Sequence, residues 1–302
     1  MNKKQIRGTS GMRERFGLFD AVVHLVLILI SVSILYPLLH TIAVSFSDTY
    51  NVMANKVLVL PRGFNLESYL YLLRNQKVPR AFLNTVYYTA LGVSINLVMT
   101  LVMAYPLSKS QLVGRNVILK LIMFTMFFSG GIIPTYLMMN SLGMINTVWA
   151  MILPGAVSVY NTIIMRTFFV NSIPPELQEA AQVDGCSNTR LLLQIVLPLS
   201  KQILAVMVLF YGVAHWNAFF NALIYLTESK RYPLQLVLRS ILIQNTASQD
   251  MLGDLDTMGS RVMMAETIKY ALIIVSTLPM MILYPFLQRF FEKGVMVGAV
   301  KG

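Results

Sequence analysis

At 302 residues, 56% hydrophobic and only 12% charged, with a mean hydropathy of +0.64, the chain has too few charges to cover a water-exposed surface, since soluble domains carry about 25% charged residues. Its net charge of +11 comes from basic residues set singly between apolar runs, and with no cluster to follow a phosphate backbone this argues against nucleic-acid binding. One cysteine, Cys186, excludes an intrachain disulfide and a paired-thiolate metal site.

A helix needs about 20 mostly apolar residues to cross roughly 30 Å of hydrocarbon. Six stretches meet that length, predicting an all-α, polytopic membrane protein with six transmembrane helices. The first covers 21–46, with no charge between Asp20 and Asp48. A signal-peptide core is about 7–15 residues, so this longer run is expected to be a retained span. The second covers 81–107, between Arg80 and Lys109. The third, 117–139, is interrupted by Gly130-Gly131 and Pro134, read as glycines for close packing with a gating kink as the other reading. The turn-like NSLGMIN separates it from the fourth, 148–170. The fifth covers 199–226 and the sixth 268–290.

Orientation follows the placement of Lys and Arg beside the span ends. Lys3, Lys4, Arg7, Arg13 and Arg15 precede the first span, and Lys109, Arg115 and Lys120 lie between the second and third. Arg166, Arg190 and Lys201 flank the segment before the fifth, and Arg289, Lys293 and Lys301 the end. All fall on one side if both termini are inside. The organisation expected is therefore a cytoplasmic N-terminus over 1–20, a membrane domain over 21–290 and a cytoplasmic tail over 291–302. Larger external segments lie at about 47–79 and 227–267, the latter holding Asp250, Asp254 and Asp256.

On the inner side, about 171–198, stands EAAQVDGCSNTRLLLQIVLP, a charged, helix-competent stretch between apolar runs. Pro174-Pro175 sets φ for a helix start, with Ser172 as the expected N-cap. Glu176 and Glu179 lie near the positive end of that helix's dipole. Leu177, Ala180, Ala181 and Asp184 fall on one face, small at its centre. Gly185 is placed to take a left-handed turn, Ser187 to cap a second helix, and Leu191, Leu192, Ile195 and Val196 form an apolar stripe ending at Pro198. The residues describe two short helices around a glycine turn. By themselves they fit either an interfacial helix on the headgroups or a docking knob for a cytoplasmic partner.

The stretch resembles the cytoplasmic EAA loop of permease subunits in binding-protein-dependent ABC importers. Glu179, Ala180, Ala181, Asp184, Gly185, Ile195, Leu197 and Pro198 match that family's pattern; Cys186 replaces its usual alanine and Leu192 stands where an aromatic is common. The segment FFSGGIIPTYLMMNSLGMINTVWAMILP and the ending EKGVMVGAVKG are similar to the maltose-type G-subunit permeases for sugars, and nearly the whole chain is covered. The resemblance implies that the two helices are a coupling segment seated in a groove of a separate ATPase, with Glu179, Ala180, Ala181, Asp184, Gly185, Leu197 and Pro198 at the interface. It implies a second, F-like permease, two ATPase subunits carrying ATP and Mg, and an external sugar-binding protein that meets the 227–267 segment. It also implies that ATP binding switches the permease pair from inward-open to outward-open and that hydrolysis resets it.

No phosphate-binding loop, H-E-x-x-H or G-x-S-x-G pattern occurs, so no enzyme chemistry and no bound cofactor or metal is expected in this chain. His24, His40 and His215 are isolated and read as packing residues. Polar residues inside spans are costly unless they face the interior or a cavity. Trp216, Asn217 and Asn221 combine an aromatic face with amides, the mixture a sugar path needs, with Asn217 and Asn221 expected on one helical face; Tyr160 and Asn161 form a second set. Interhelical hydrogen bonding is the other reading of each. The alternative function, a self-contained secondary carrier or channel for a polar solute, calls for charges at span centres or an inverted repeat. The sequence shows neither.

Overall fold

The computed structural model describes residues 17–74, 76–251 and 259–299. The basic residues before the first span, Asp254, Asp256 and Lys301 lie outside them. The described residues are helical throughout apart from turns and one isolated bridge. The backbone divides into two compact units, Met1–Asn65 and Leu66–Gly302.

In the first unit, α1 (Leu18–Ser45) exposes side chains on every face, and its apolar window has no buried residues. A helix apolar all round, with no core against it, belongs in lipid or against another chain. After it the chain folds back on itself. Ser47 bridges Phe64, the Phe46 and Phe64 rings stack at 5.7 Å, and Asp48 caps α2 (Thr49–Met53). Gly63 (φ +66°) closes this fold where any Cβ would meet Asp48 at 2.8 Å.

The second unit is organised around α4 (Lys77–Ser108), preceded by α3 (Glu67–Arg74). On α4, Val78, Ala81, Thr85, Tyr88, Gly92, Asn96, Thr100 and Ala104 recur every three or four residues and all are buried. Such spacing is one helical face. That face is the polar one, while Leu83, Val86, Val98 and Val102 point outward. Lipid reverses the usual arrangement, because polar groups there must be satisfied among helices.

The third span is not one kinked helix. α5 (Arg115–Phe127) and α6 (Ile132–Ser141) meet at 109°. Gly131 sits at φ +86° with nothing within 4 Å of where its Cβ would be, and Gly130 has only Pro134 at 3.8 Å. The pair supplies backbone freedom rather than the close packing expected. α7 (Val148–Ile152) runs into a 3-10 turn and meets α8 (Val159–Ser172) at 54°.

α9 (Pro175–Val183), α10 (Asn188–Leu191), a wide π turn and α11 (Leu197–Leu199) follow, and then an 83° bend leads into α12 (Lys201–Trp216). The expected fifth span is also broken, because α12 ends at Trp216 and α13 (Phe219–Tyr225) starts afresh. α14 (Leu234–Met251) and α15 (Gly259–Ala299) complete the chain, so the expected external segments contain helices of their own. Among the described residues, three helices are long and apolar enough to cross a membrane, or up to six if each bent pair is one span.

Candidate functional site

The two-helix elbow is specified by local chemistry. A residue before proline is kept out of the helical region. Ile173 (φ −109°, ψ 110°) and Pro174 (φ −56°, ψ 133°) both precede prolines and are extended, which ends α8 and turns the chain. Pro174, not Ser172, occupies the N-cap position of α9, and Ser172 is the last residue of α8.

α9 ends in a Schellman motif. Gly185 lies at φ +73°, its N–H donates to Gln182 O at 3.0 Å, and the Cys186 N–H donates to Ala181 O at 2.9 Å. This motif is completed by an apolar contact between the two residues that share its outer bond. Ala181 and Cys186 both pack in one core cluster, which explains why small apolar residues stand at those two positions. Ser187 then caps α10, its Oγ accepting the Arg190 N–H at 3.3 Å. Pro198 has no N–H for the Gln194 carbonyl, and the helix before it widens into a π turn over Leu192–Val196.

The inner face of the elbow is anchored deep. Ile173, Ala181, Leu191 and Val196 are buried with Tyr105 of α4, Met165 and Phe169 of α8, and Ile203 and Met207 of α12. The apolar stripe of the second helix therefore packs on protein. Two groups at the end of α4 hold both halves of the elbow. The Tyr105 hydroxyl donates to Asn188 O at 3.2 Å, and Lys109 Nζ lies 4.7 Å over the Tyr105 ring while donating to Gln178 Oε1. Burial holds the Lys109 ammonium below the ordinary lysine value.

The outer face is displaced by about one residue from the expected one. Ala181 points inward, and the exposed stripe is Glu176, Glu179, Ala180, Val183 and Asp184, with Val183 87% exposed. The acids of this stripe make no ion pair among the described residues. Gly185 and Pro198 are exposed and Leu197 half-buried. Val183 went unnoticed in the sequence, although its spacing of four from Glu179 marks it.

The residues expected along a sugar path are not brought together in that way. Trp216 is 4% exposed; its indole N–H donates to Ser276 O at 2.7 Å and its ring stands edge-on to Phe82 at 5.8 Å. It joins α4, α12 and α15 as a packing residue. Asn217 and Asn221 do not share a helical face, because Asn217 is the C-cap of α12 and Ala218 (φ −75°, ψ 66°) separates it from α13. Asn217 Nδ2 donates to Val213 O at 2.9 Å, while Asn221 is half-buried. On α8, Tyr160 is exposed and Asn161 buried.

A buried network that the sequence hid runs through α4. His215 Nε2 lies 2.6 Å from Asn96 Oδ1, and Asn96 Nδ2 donates to Gly155 O at 2.5 Å and Ala156 O at 3.0 Å. Those carbonyls are exposed by the α7–α8 break, and the amide satisfies them. Gly92 makes room for the imidazole, since a Cβ there would meet it at 2.5 Å. Thr100 and Tyr211 share a hydrogen bond of 2.6 Å one turn further on.

At the other end of α4, Asn84 donates to Lys230 O and Tyr232 O and the Tyr88 hydroxyl to Arg231 O. Asn146 Nδ2 donates to Glu228 Oε1 at 2.7 Å beside the Lys230 ion pair at 2.8 Å, and these bonds hold the Glu228 carboxyl below its ordinary value.

Comparison with known proteins agrees with this architecture. Residues 68–297 match the model of the binding-protein-dependent transport system inner membrane component. That match begins just inside the second compact unit. The chain is 40% identical to the polygalacturonan/rhamnogalacturonan transport system permease protein YtcP of Bacillus subtilis, over 94% of this chain and 99% of that one. It is 42% identical to the Bacillus subtilis protein LplC over 88% of this chain and 89% of that one. Among solved structures it superposes with a TM-score of 0.83, at 29% identity, on a chain of a bacterial ABC transporter involved in the import of the acidic polysaccharide alginate, covering 94% of this chain and all of that one. A helical, lipid-adapted chain with these relatives belongs to the family of binding-protein-dependent transport system inner membrane components, as a multi-pass permease of the bacterial inner membrane.

Proposed function

We propose that this permease is one of two membrane subunits of an ATP-driven importer for a saccharide, and that the α9 elbow is where separate ATPase subunits act on it. The observation that carries the reading is the two-sidedness of the elbow. Glu176, Glu179, Ala180, Val183 and Asp184 are exposed, while Ile173, Ala181, Leu191 and Val196 lock the other side to α4, α8 and α12. A rigid knob with small residues and unpaired acids at its tip suits a groove in a partner, and displacement of that knob moves three helices. ATP and Mg belong to the partner ATPases, and this chain supplies the lever.

The names of the related permease and of the solved transporter support a saccharide cargo. A second, F-like permease completes the path, and an external binding protein delivers the sugar to the end of α4 opposite the elbow. The distance suits this arrangement, because Asn84 and Tyr105 are about 30 Å apart along the helix, the thickness of the hydrocarbon. The termini and the elbow then lie on the cytoplasmic side.

Glu179→Lys reverses the charge of an exposed side chain and leaves the core alone. The variant is expected to insert in normal amounts but to lose co-purifying ATPase and sugar uptake. Full ATPase association with normal uptake would sink the coupling assignment.

A further inference from the structure

Where α12 gives way to α13, polar and aromatic groups face α14 across a short gap. Asn217 Oδ1 accepts a hydrogen bond from Gln235 Nε2 at 3.1 Å. One turn further along α14, the Arg239 guanidinium lies 5.1 Å over the Phe219 ring. Gln235 and Arg239 are four apart and share a helical face, so the two contacts form one patch. Phe220 stands edge-on to Phe219 at 6.4 Å and 80°, with 47% of its surface open. Asn217, Phe219 and Arg239 are exposed as well.

The cation of this patch has no acid to neutralise it among the described residues. A ring beneath a guanidinium attracts it through its quadrupole and holds it in place without cancelling its charge. The planar fork is left free to accept a carboxylate in bidentate fashion. A single cation suits a carboxylate monoanion better than a phosphate dianion, which calls for several donors. The amide pair offers partners for hydroxyls, and the open Phe220 ring offers an apolar surface for the C–H face of a pyranose.

We propose that Arg239, Phe219, Phe220, Asn217 and Gln235 form a recognition site for a uronate unit of an oligosaccharide. In it Arg239 takes the carboxylate, the amides take neighbouring hydroxyls, and Phe220 takes the ring face. The proposal rests on the reading of the chain as a saccharide permease and names the class of saccharide.

The test uses the complete importer in a bacterial host without its own uptake of the probes. Labelled α-1,4-trigalacturonate is compared with α-1,4-galactotriose, which differs only in having hydroxymethyl groups for carboxylates. Wild type is expected to accumulate the uronate in preference. Arg239→Gln is expected to lower uronate uptake on the order of 10- to 100-fold, the value of one charge-assisted hydrogen-bonded pair, with galactotriose uptake unchanged. Arg239→Lys, which keeps the charge and loses the fork, should recover part of the uronate uptake. An unchanged preference in Arg239→Gln, or an equal fall for both sugars at normal membrane levels, overturns the site. Uptake of galactotriose alone by wild type overturns the uronate class and leaves the saccharide reading standing. Uptake of neither sugar removes both.

Discussion

The elbow and the α12–α13 junction are both places where polar residues break a helix and turn the chain, yet they are built differently. At the elbow every turn-making bond is short in sequence. The prolines act on their predecessors, Gly185 on a neighbour three residues away, and Ser187 on Arg190. At the junction short bonds from Asn217 and Ala218 to Val213 and His215 close the end of α12, and long ones are added to them: Trp216 to Ser276, His215 to Asn96 and Asn217 to Gln235. A turn held only by its own residues keeps its shape when its surroundings change, and one also tied to distant partners responds to them. The first suits a handle moved as a unit, and the second couples helices to one another.

The contrast can be broken at its strongest points. Trp216→Ala removes a buried ring and an interhelical hydrogen bond, and it should cost about 3–5 kcal/mol. A large fall in thermal stability in detergent is expected, and an unchanged melting point would mean that the junction does not depend on this contact. Trp216→Phe, which loses only the N–H, should cost far less.

Asn96→Leu strands the Gly155 and Ala156 carbonyls and His215, at about 2–4 kcal/mol by the cost of buried unsatisfied groups. A loss near the ~0.6 kcal/mol typical of interhelical bonds in membranes would show instead that water or lipid replaces the network. The double variant with His215→Leu gives the coupling directly, since residues in contact are not additive.

Local changes in the elbow should cost less. Gly185→Val forces a branched side chain to positive φ, at roughly 1–2 kcal/mol, with Gly185→Asn milder. Hydrogen exchange should then show loosening confined to α9 and α10; loosening that spread to α12 would erase the difference between elbow and junction. Ser187→Ala removes one cap bond, about 1 kcal/mol, read as faster exchange at the Arg190 amide.

The smallest effect is a pH dependence at the Asn146–Glu228 contact. Glu228 has a folded value depressed by hydrogen bonds from Lys230 and Asn146. Its contribution is therefore complete above the ordinary carboxylate range and lost as pH falls through the lowered value. The protection of the Thr227 and Glu228 amides, which donate to Asn146, taken relative to their intrinsic exchange rate at each pH, should fall on acidification in the wild type and not in Glu228→Gln.

From the sequence alone, the lipid class, the apolar runs and the elbow are readable. Each rests on residues close together in the chain: apolar runs long enough to cross a membrane, a diproline, a glycine and serine at helix ends. Even there, the exposed side of α9 was placed one residue out, because helical spacing defines a face but not which neighbour covers it. Ala181 faces inward because the ends of α4, α8 and α12 meet it. The Asn217–Ala218 break falls inside a run that reads as one span, and the glycines at 130 and 131 mark an interruption without its 109° angle, since apolar composition does not record a bend.

Tertiary structure alone decided the fate of the polar residues. Trp216 and Asn217 are adjacent in sequence and looked like one sugar-binding pair, but one is buried against Ser276 while the other faces Gln235 on the surface. Gly92 shows no role in the sequence; its role is the space it leaves for the His215 ring. A polar side chain in a membrane must find a partner. The residue type sets that demand, and only the packing of helices distant in sequence determines who meets it.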